Sequence, residues 1–130
     1  MFMSCRAIII DDDQDTVEVY EEYLKWKGID VVGTGFDGKT AVSLYKTKKP
    51  DVVLLDVMMP DFDGFYALEN IRKHDPNAKI VMATADKTRE TRDRLYKMDA
   101  NAIVYKPYEI DAVLKAIDSV LVGEKVYAEL

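Results

Sequence analysis

The sequence predicts a doubly wound α/β domain built from five β-α units in succession, on two observations. Short apolar runs recur along the chain, and four of the five lack the polar alternation of a half-solvated strand, so both of their faces are covered, as in a parallel sheet between helical layers. Between these runs lie stretches of helical period long enough to serve as right-handed crossovers. The 130 residues suit one domain with one core and exclude two full domains.

The first strand is expected at residues 7–10. The lone cysteine, Cys5, stands beside it as a small apolar residue; one thiol makes neither an internal disulfide nor a metal site, which fits a reducing compartment. The first helix should run over about 16–27, with Val19, Tyr20, Tyr23 and Leu24 on one face, Trp26 off that stripe, and Gly28 as its stop. A second strand at 31–32 leads to a helix capped by Asp37, with Ala41, Leu44 and Tyr45 inward and Lys46, Lys48 and Lys49 as a solvated end. The third strand spans 52–55. Its helix carries Phe65, Leu68 and Ile71 and ends before Pro76, with His74 on the surface where a helix C-terminus favours positive charge. A fourth strand at 80–83 precedes a heavily charged helix over 88–98, in which Leu95 and Met98 are the strong anchors; a weakly anchored helix is where a switch could move, and it reads equally as a well-solvated helix held by ion pairs. The fifth strand is 102–105. The last helix places Ile110, Val113, Leu114, Ile117 and Leu121 on one stripe, with Gly123 as its stop. Residues 124–130 remain as a tail too short for a DNA-binding or enzymatic output, so the reading is a single domain over 1–130 with its core at about 6–121, either acting alone on a partner or excised from its effector.

With 48% hydrophobic and 32% charged residues, the chain can bury a core without disulfides or structural zinc. Lys and Arg number 18 against 24 Asp and Glu, a net charge of −6, which argues against a direct reader of nucleic-acid backbones. No stretch approaches the roughly 20 apolar residues of a membrane span, and residues 1–6 lack the apolar core of a signal peptide; a cytoplasmic location is expected.

Ligands of such sheets bind at the carboxyl ends of the strands. The first strand is followed by Asp11, Asp12 and Asp13; the third closes on Asp56, the fourth on Thr84, and the fifth is followed by Lys106 and Pro107. The second offers only Gly33 and Thr34. Crowded carboxylates repel one another and demand a cation. Lys106 supplies one charge, and a hard divalent ion held by oxygen ligands supplies the rest, with Mg²⁺ favoured over zinc because no His or further Cys is near. A carboxylate beside Mg²⁺, an ammonium and a hydroxyl is equipped to accept a phosphoryl group. Asp56 is the best-aimed nucleophile because it ends a buried strand.

Asp11-Asp12 after an apolar strand, Asp56 followed by Met59-Pro60 and Asp63-Gly64, Thr84-Ala85, and Lys106-Pro107 together resemble the receiver domain of two-component response regulators, in particular the chemotaxis-regulator-like members, over residues 6–121. The resemblance implies a flavodoxin-like (βα)5 sandwich whose five-stranded parallel sheet has the order 2-1-3-4-5. It implies Asp56 as phosphoacceptor, Thr84 as the hydroxyl that moves toward the phosphoryl group, and Lys106 as partner of Asp56 before phosphorylation and of the phosphoryl group afterwards. Mg²⁺, with Mn²⁺ able to substitute, would be held by Asp11, Asp12, Asp56 and the backbone carbonyl of Met58. The implied partners are a sensor histidine kinase or histidine phosphotransfer protein and an output partner or effector domain. The fourth helix, fifth strand and fifth helix would form the switching face, which could also serve a homodimer. The reading is a phosphorelay regulator with weak self-phosphorylating and autodephosphorylating chemistry, not a metabolic enzyme. One departure stands out: the family often has an aromatic ring three residues before its lysine, where this chain has Ile103, and Tyr105 should point away from the face of Val104.

Other motifs compete less well. Asp11, Asp13, Asp15 and Glu22 match positions of a calcium-binding EF-hand loop, but Thr16 replaces the required Gly and a helix begins inside the loop. Asp13, Asp15 and Glu22 then read as capping or solvated residues. Asp86-Lys87-Thr88 matches the start of the phosphorylated motif of cation-pumping ATPases by chance, and a haloacid dehalogenase-like hydrolase would need an acid where Met58 stands. The alternatives of a different class are a phosphorylation-independent binding module of the same fold and a small metal-dependent hydrolase.

Overall fold

The computed structural model describes residues 5–106 and 110–129. Residues 1–4, Pro107, Tyr108, Glu109 and Leu130 lie outside the described residues, so the Lys106-Pro107 pairing is seen only at its lysine. The strands are β1 (Arg6–Ile10), β2 (Asp30–Gly35), β3 (Val52–Asp56), β4 (Ile80–Thr84), β5 (Ala102–Tyr105) and β6 (Val126–Tyr127). The helices are α1 (Gln14–Trp26), α2 (Gly38–Lys48), α3 (Gly64–His74), α4 (Arg89–Lys97) and α5 (Ile110–Leu121). All strand pairs are parallel, in the order β2-β1-β3-β4-β5-β6. The five expected strands stand in their expected order, and the tail adds a sixth on the outer edge of β5.

Every residue of β3 and β4 is buried, as doubly covered strands require. Ile8, Leu55, Met82 and Ile103 pack with Tyr45, Leu68, Ile71 and Leu95 in one helical layer. Ile9, Leu54, Val81 and Val104 pack with Val17, Leu24, Val113 and Ile117 in the other. Alternate residues of one strand therefore feed opposite layers.

Short polar side chains begin the helices. The Asp13 carboxylate accepts from the Asp15 amide at 3.2 Å and the Thr16 hydroxyl at 2.8 Å, Asp37 accepts from the Thr40 amide at 2.7 Å, and Asp63 accepts from the Tyr66 amide at 2.9 Å. Gly28 and Gly123, at φ +87° and +89°, follow α1 and α5 as the expected stops. Two helix faces differ from expectation. Val19 and Tyr23 are 50% and 41% exposed, and α1 packs through Val17, Tyr20 and Leu24 instead, at i, i+3 and i+7. In α5 the buried stripe is Val113, Ala116, Ile117 and Val120, one step round from Leu121, which is exposed. Small Ala116 lets that helix sit close to the sheet. The fourth helix is thinly anchored as expected: Leu95 is its one buried residue, worth roughly 2 kcal/mol of transfer free energy. Met98 packs part-buried against the same layer, and the Arg94 guanidinium stacks 3.7 Å over the Phe65 ring.

Candidate functional site

Parallel register brings four strand ends to one level. Ile10 lies beside Leu55, Asp56 beside Ala83, and Thr84 beside Tyr105. One further backbone bond extends each ladder past its strand: the Asp11 amide donates to the Gly35 carbonyl at 3.1 Å, Val57 to Ala83 at 2.9 Å, and Lys106 to Thr84 at 2.8 Å. These bonds fix the backbone on which Asp11, Asp56, Thr84 and Lys106 stand. Behind Asp56, α3 starts so close that a Cβ on Gly64 would lie 2.3 Å from the Asp56 carbonyl oxygen, so only glycine fits there.

Among the described residues, the buried polar or charged side chains are Asp11, Asp56 and Thr84, and all three stand at this spot. Asp11 is tied down twice: one oxygen accepts from the Asp13 amide at 2.9 Å and the other from the Lys106 ammonium at 2.6 Å. The same ammonium reaches Asp56 at a longer 3.3 Å. The lysine therefore favours Asp11 in this state, and its hold on Asp56 is the looser of the two. Burial, followed by the neighbouring Asp11 charge, pushes the Asp56 carboxyl up to about 7, although Lys106 pulls the other way. Burial works to lower the Lys106 ammonium, but its hydrogen bond to Asp11 and the two carboxylate charges outweigh it and leave the group raised.

Asp12, exposed at the mouth, completes a group in which carboxylate oxygens of Asp11, Asp12 and Asp56 all lie within 4.8 Å of one another. Three carboxylates face one ammonium, and the donors are all hard oxygens, so the residues present fit a Mg²⁺-like divalent cation and not zinc. Met58 follows Val57, whose carbonyl accepts from the Gly64 amide at 2.9 Å; the Met58 side chain is 58% exposed.

Thr84 is connected outward. Its hydroxyl oxygen accepts from the Asp86 amide at 3.0 Å, and the Asp86 carboxylate accepts from the Thr88 amide at 2.9 Å and the Thr91 hydroxyl at 2.6 Å. This chain runs from the site into the first turn of α4. Asp86, which the sequence offers only within a chance match to a phosphorylated motif, links the site to α4; a short polar residue just before a helix capped by Thr88 is the signal for that role. Ile103 is fully buried, while Tyr105 shares its layer, faces away from Val104 and receives the Arg92 guanidinium on its hydroxyl at 3.3 Å. Ala85 is exposed beside Thr84.

The rival sites dissolve into local structure. Asp13 caps α1, Asp15 and Glu22 are exposed, and Lys46, Lys48 and Lys49 are solvated. His74 ends α3 with its ring edge-on to Tyr45 at 6.3 Å, and Trp26 is 77% exposed. Among the described residues no helix is long and apolar enough to cross a membrane.

Residues 7–118 match the family described as the response regulator receiver domain. The chemotaxis protein CheY of Thermotoga maritima is 32% identical over 118 residues, covering 91% of this chain and 98% of that protein. CheY of Bacillus subtilis is 33% identical over 119 residues, covering 92% and 99%. A chain in the crystal structure of the CheX-CheY-BeF3-Mg complex from Borrelia burgdorferi superposes with a TM-score of 0.85 at 30% identity, covering 89% of this chain and 88% of that one.

Proposed function

This chain belongs to the response regulator receiver domain family, and from that premise we propose that it is a single receiver domain that accepts a phosphoryl group on Asp56. The observation that carries the reading is the buried Asp56 carboxylate lying against the Lys106 ammonium at the level of Thr84, at converging strand ends.

In the proposed reaction an Asp56 oxygen attacks the phosphorus of a phosphohistidine on a sensor kinase or phosphotransfer protein. The O–P bond forms as the P–N bond breaks, and the imidazole leaves with the electron pair. Asp11, Asp12, Asp56 and the Met58 carbonyl would hold Mg²⁺, or Mn²⁺ in its place. When bound, the ion neutralises charge on the transferring group and keeps Asp56 ionised. Lys106 shifts its hold from Asp11 toward the new phosphoryl oxygens. Thr84 turns its hydroxyl to the same group, and the Thr84–Asp86–Thr91 chain carries that movement into α4. Phosphorylation thereby biases a pre-existing equilibrium of the α4/β5/α5 face, which contacts an output partner or a second copy. The protein is a cytoplasmic phosphorelay regulator with slow self-modifying chemistry, not a metabolic enzyme.

Intact-mass measurement after incubation with acetyl phosphate tests this. Wild type should gain one phosphoryl group with Mg²⁺ and none with a chelator, and Asp56→Asn should gain none. An unmodified wild type under Mg²⁺ would leave a binding module that works without phosphorylation.

A further inference from the structure

Among the described residues α2 supplies none of the clustered carboxylates, yet its first turn touches both backbone segments that lead into them. The Gly38 amide is one of the donors that a helix N-terminus leaves without an intrahelical partner, and it donates to the Phe62 carbonyl at 2.6 Å. A Cβ on Gly38 would lie 2.3 Å from the Asp63 carbonyl oxygen and 2.8 Å from that of Phe62, so only glycine permits this approach. Two residues on, the Thr40 methyl abuts β2: a Cβ on Gly35 would come within 2.6 Å of it, and the Gly35 carbonyl is the acceptor of the Asp11 amide. The stretch from Val57 to Asp63 is consequently held at both ends. Gly64 sits against Asp56 and Val57 at one end, and Gly38 against Phe62 and Asp63 at the other. The Phe62 ring adds a bridge between helices, with the Lys39 ammonium 5.2 Å from its centre and the Tyr66 ring at 4.8 Å. Within the clamp Asp61 stands at φ +62°, a left-handed conformation that costs energy unless its surroundings impose it.

We infer that the first turn of α2 is a remote positioning element for the cation site, and that Gly38 is its positioning residue: by fixing Phe62 and Asp63 it fixes the Met58 carbonyl between the two clamps. This role rests on the proposed reading in which that carbonyl holds Mg²⁺. A carbonyl on a loose loop has to be ordered at the moment of binding, and the clamp removes that cost beforehand. The same turn braces Asp11 through Gly35, so one helix end serves ligands on two different loops.

The test titrates Mg²⁺ into the metal-free full chain and follows the backbone amide resonances of Asp12 and Asp13. Gly38→Ala should raise the Mg²⁺ concentration at half-saturation about tenfold, the scale on which groups that orient metal ligands act. Gly28→Ala is the control. It strains the chain at φ +87° after α1, with nothing within 4 Å of the new Cβ, and should leave the midpoint in place. Asp37→Ala, which takes the cap from the same turn without a clash, should raise the midpoint by less than Gly38→Ala does. In wild type the Gly38 amide should exchange slowly, and more slowly still with Mg²⁺, because coupling between the turn and the cation is reciprocal. An unshifted midpoint in Gly38→Ala, or an equal shift in Gly28→Ala, overturns the inference. If Gly38→Ala does not fold, the other two readouts decide: an unchanged midpoint in Asp37→Ala, or Gly38 exchange indifferent to Mg²⁺, overturns it. No phosphodonor enters the titration, so its outcome is separate from that of the mass measurement on Asp56.

Discussion

At the carboxyl ends of the strands three carboxylates share one ammonium, whereas at the amino ends of β4 and β5 one guanidinium meets four oxygen acceptors. Arg72 of α3 donates to the carbonyls of Pro76 at 3.1 Å, Ala78 at 2.5 Å and Asp99 at 2.7 Å, and to the Asn101 side chain at 2.8 Å. Asn101 passes the connection on by accepting from the Ile80 amide at 2.9 Å. Only the Arg72 Nε lacks a partner there among the described residues. One end of the sheet is closed by matched polar groups. The other carries surplus negative charge, which costs stability until a cation offsets it. Local conflict marks the end proposed to accept the phosphoryl group, and local satisfaction marks the opposite end.

The comparison breaks most visibly at its two cations. Lys106→Ala leaves Asp11 and Asp56 buried together without a counter-charge and should cost about 3 kcal/mol in urea unfolding with a chelator present, part of it recovered on adding Mg²⁺. Arg72→Ala strands four acceptors, two of them near solvent, and should cost about 2 kcal/mol with no recovery by Mg²⁺ and no loss of phosphoryl acceptance at Asp56. Equal responses of the two variants to Mg²⁺ would erase the proposed division between the ends.

The two ends were not equally legible. Asp56, Thr84 and Lys106 announce themselves because each terminates or follows an apolar run, and parallel strands of similar length must bring such positions to one level. That Lys106 sits nearer Asp11 than Asp56 depends on distances across three strands, which no spacing in the chain encodes. Arg72 carries no sequence signal at all: it is one basic residue in the last turn of a helix, and its acceptors come from two turns up to 29 residues away. The exposed Val19 and Tyr23 show a related limit, since bulky residues at helical spacing can describe two overlapping stripes, and packing chose the one through Val17. The tail strand was illegible because two residues, Val126 and Tyr127, are too few to display a period.

The smallest predicted effect probes the surplus charge directly. In the folded chain the Asp56 carboxyl holds its proton up to about 7, while in the unfolded chain it releases it near the ordinary 3.8. Between those values the folded state binds more protons than the unfolded state, so stability falls as pH rises through the window and levels off above it. Asp37, Asp75 and Asp86 act in the opposite sense. Hydrogen bonds from the Thr40 amide, the Tyr45 hydroxyl and the Thr91 hydroxyl hold their carboxyls below the usual range, and their contributions are lost only as pH falls through those lower values. Metal-free wild type should therefore lose about 1 kcal/mol from about pH 6 to about pH 8 in chemical denaturation. Asp56→Asn, which has nothing to titrate there, should be flat over the same range and more stable than wild type at the upper end. Saturating Mg²⁺ should flatten the wild-type profile too, because an ion on Asp56 favours the ionised form in the folded state alone. A wild-type slope that persists in Asp56→Asn would assign the pH dependence elsewhere and remove Asp56 as the seat of the strain.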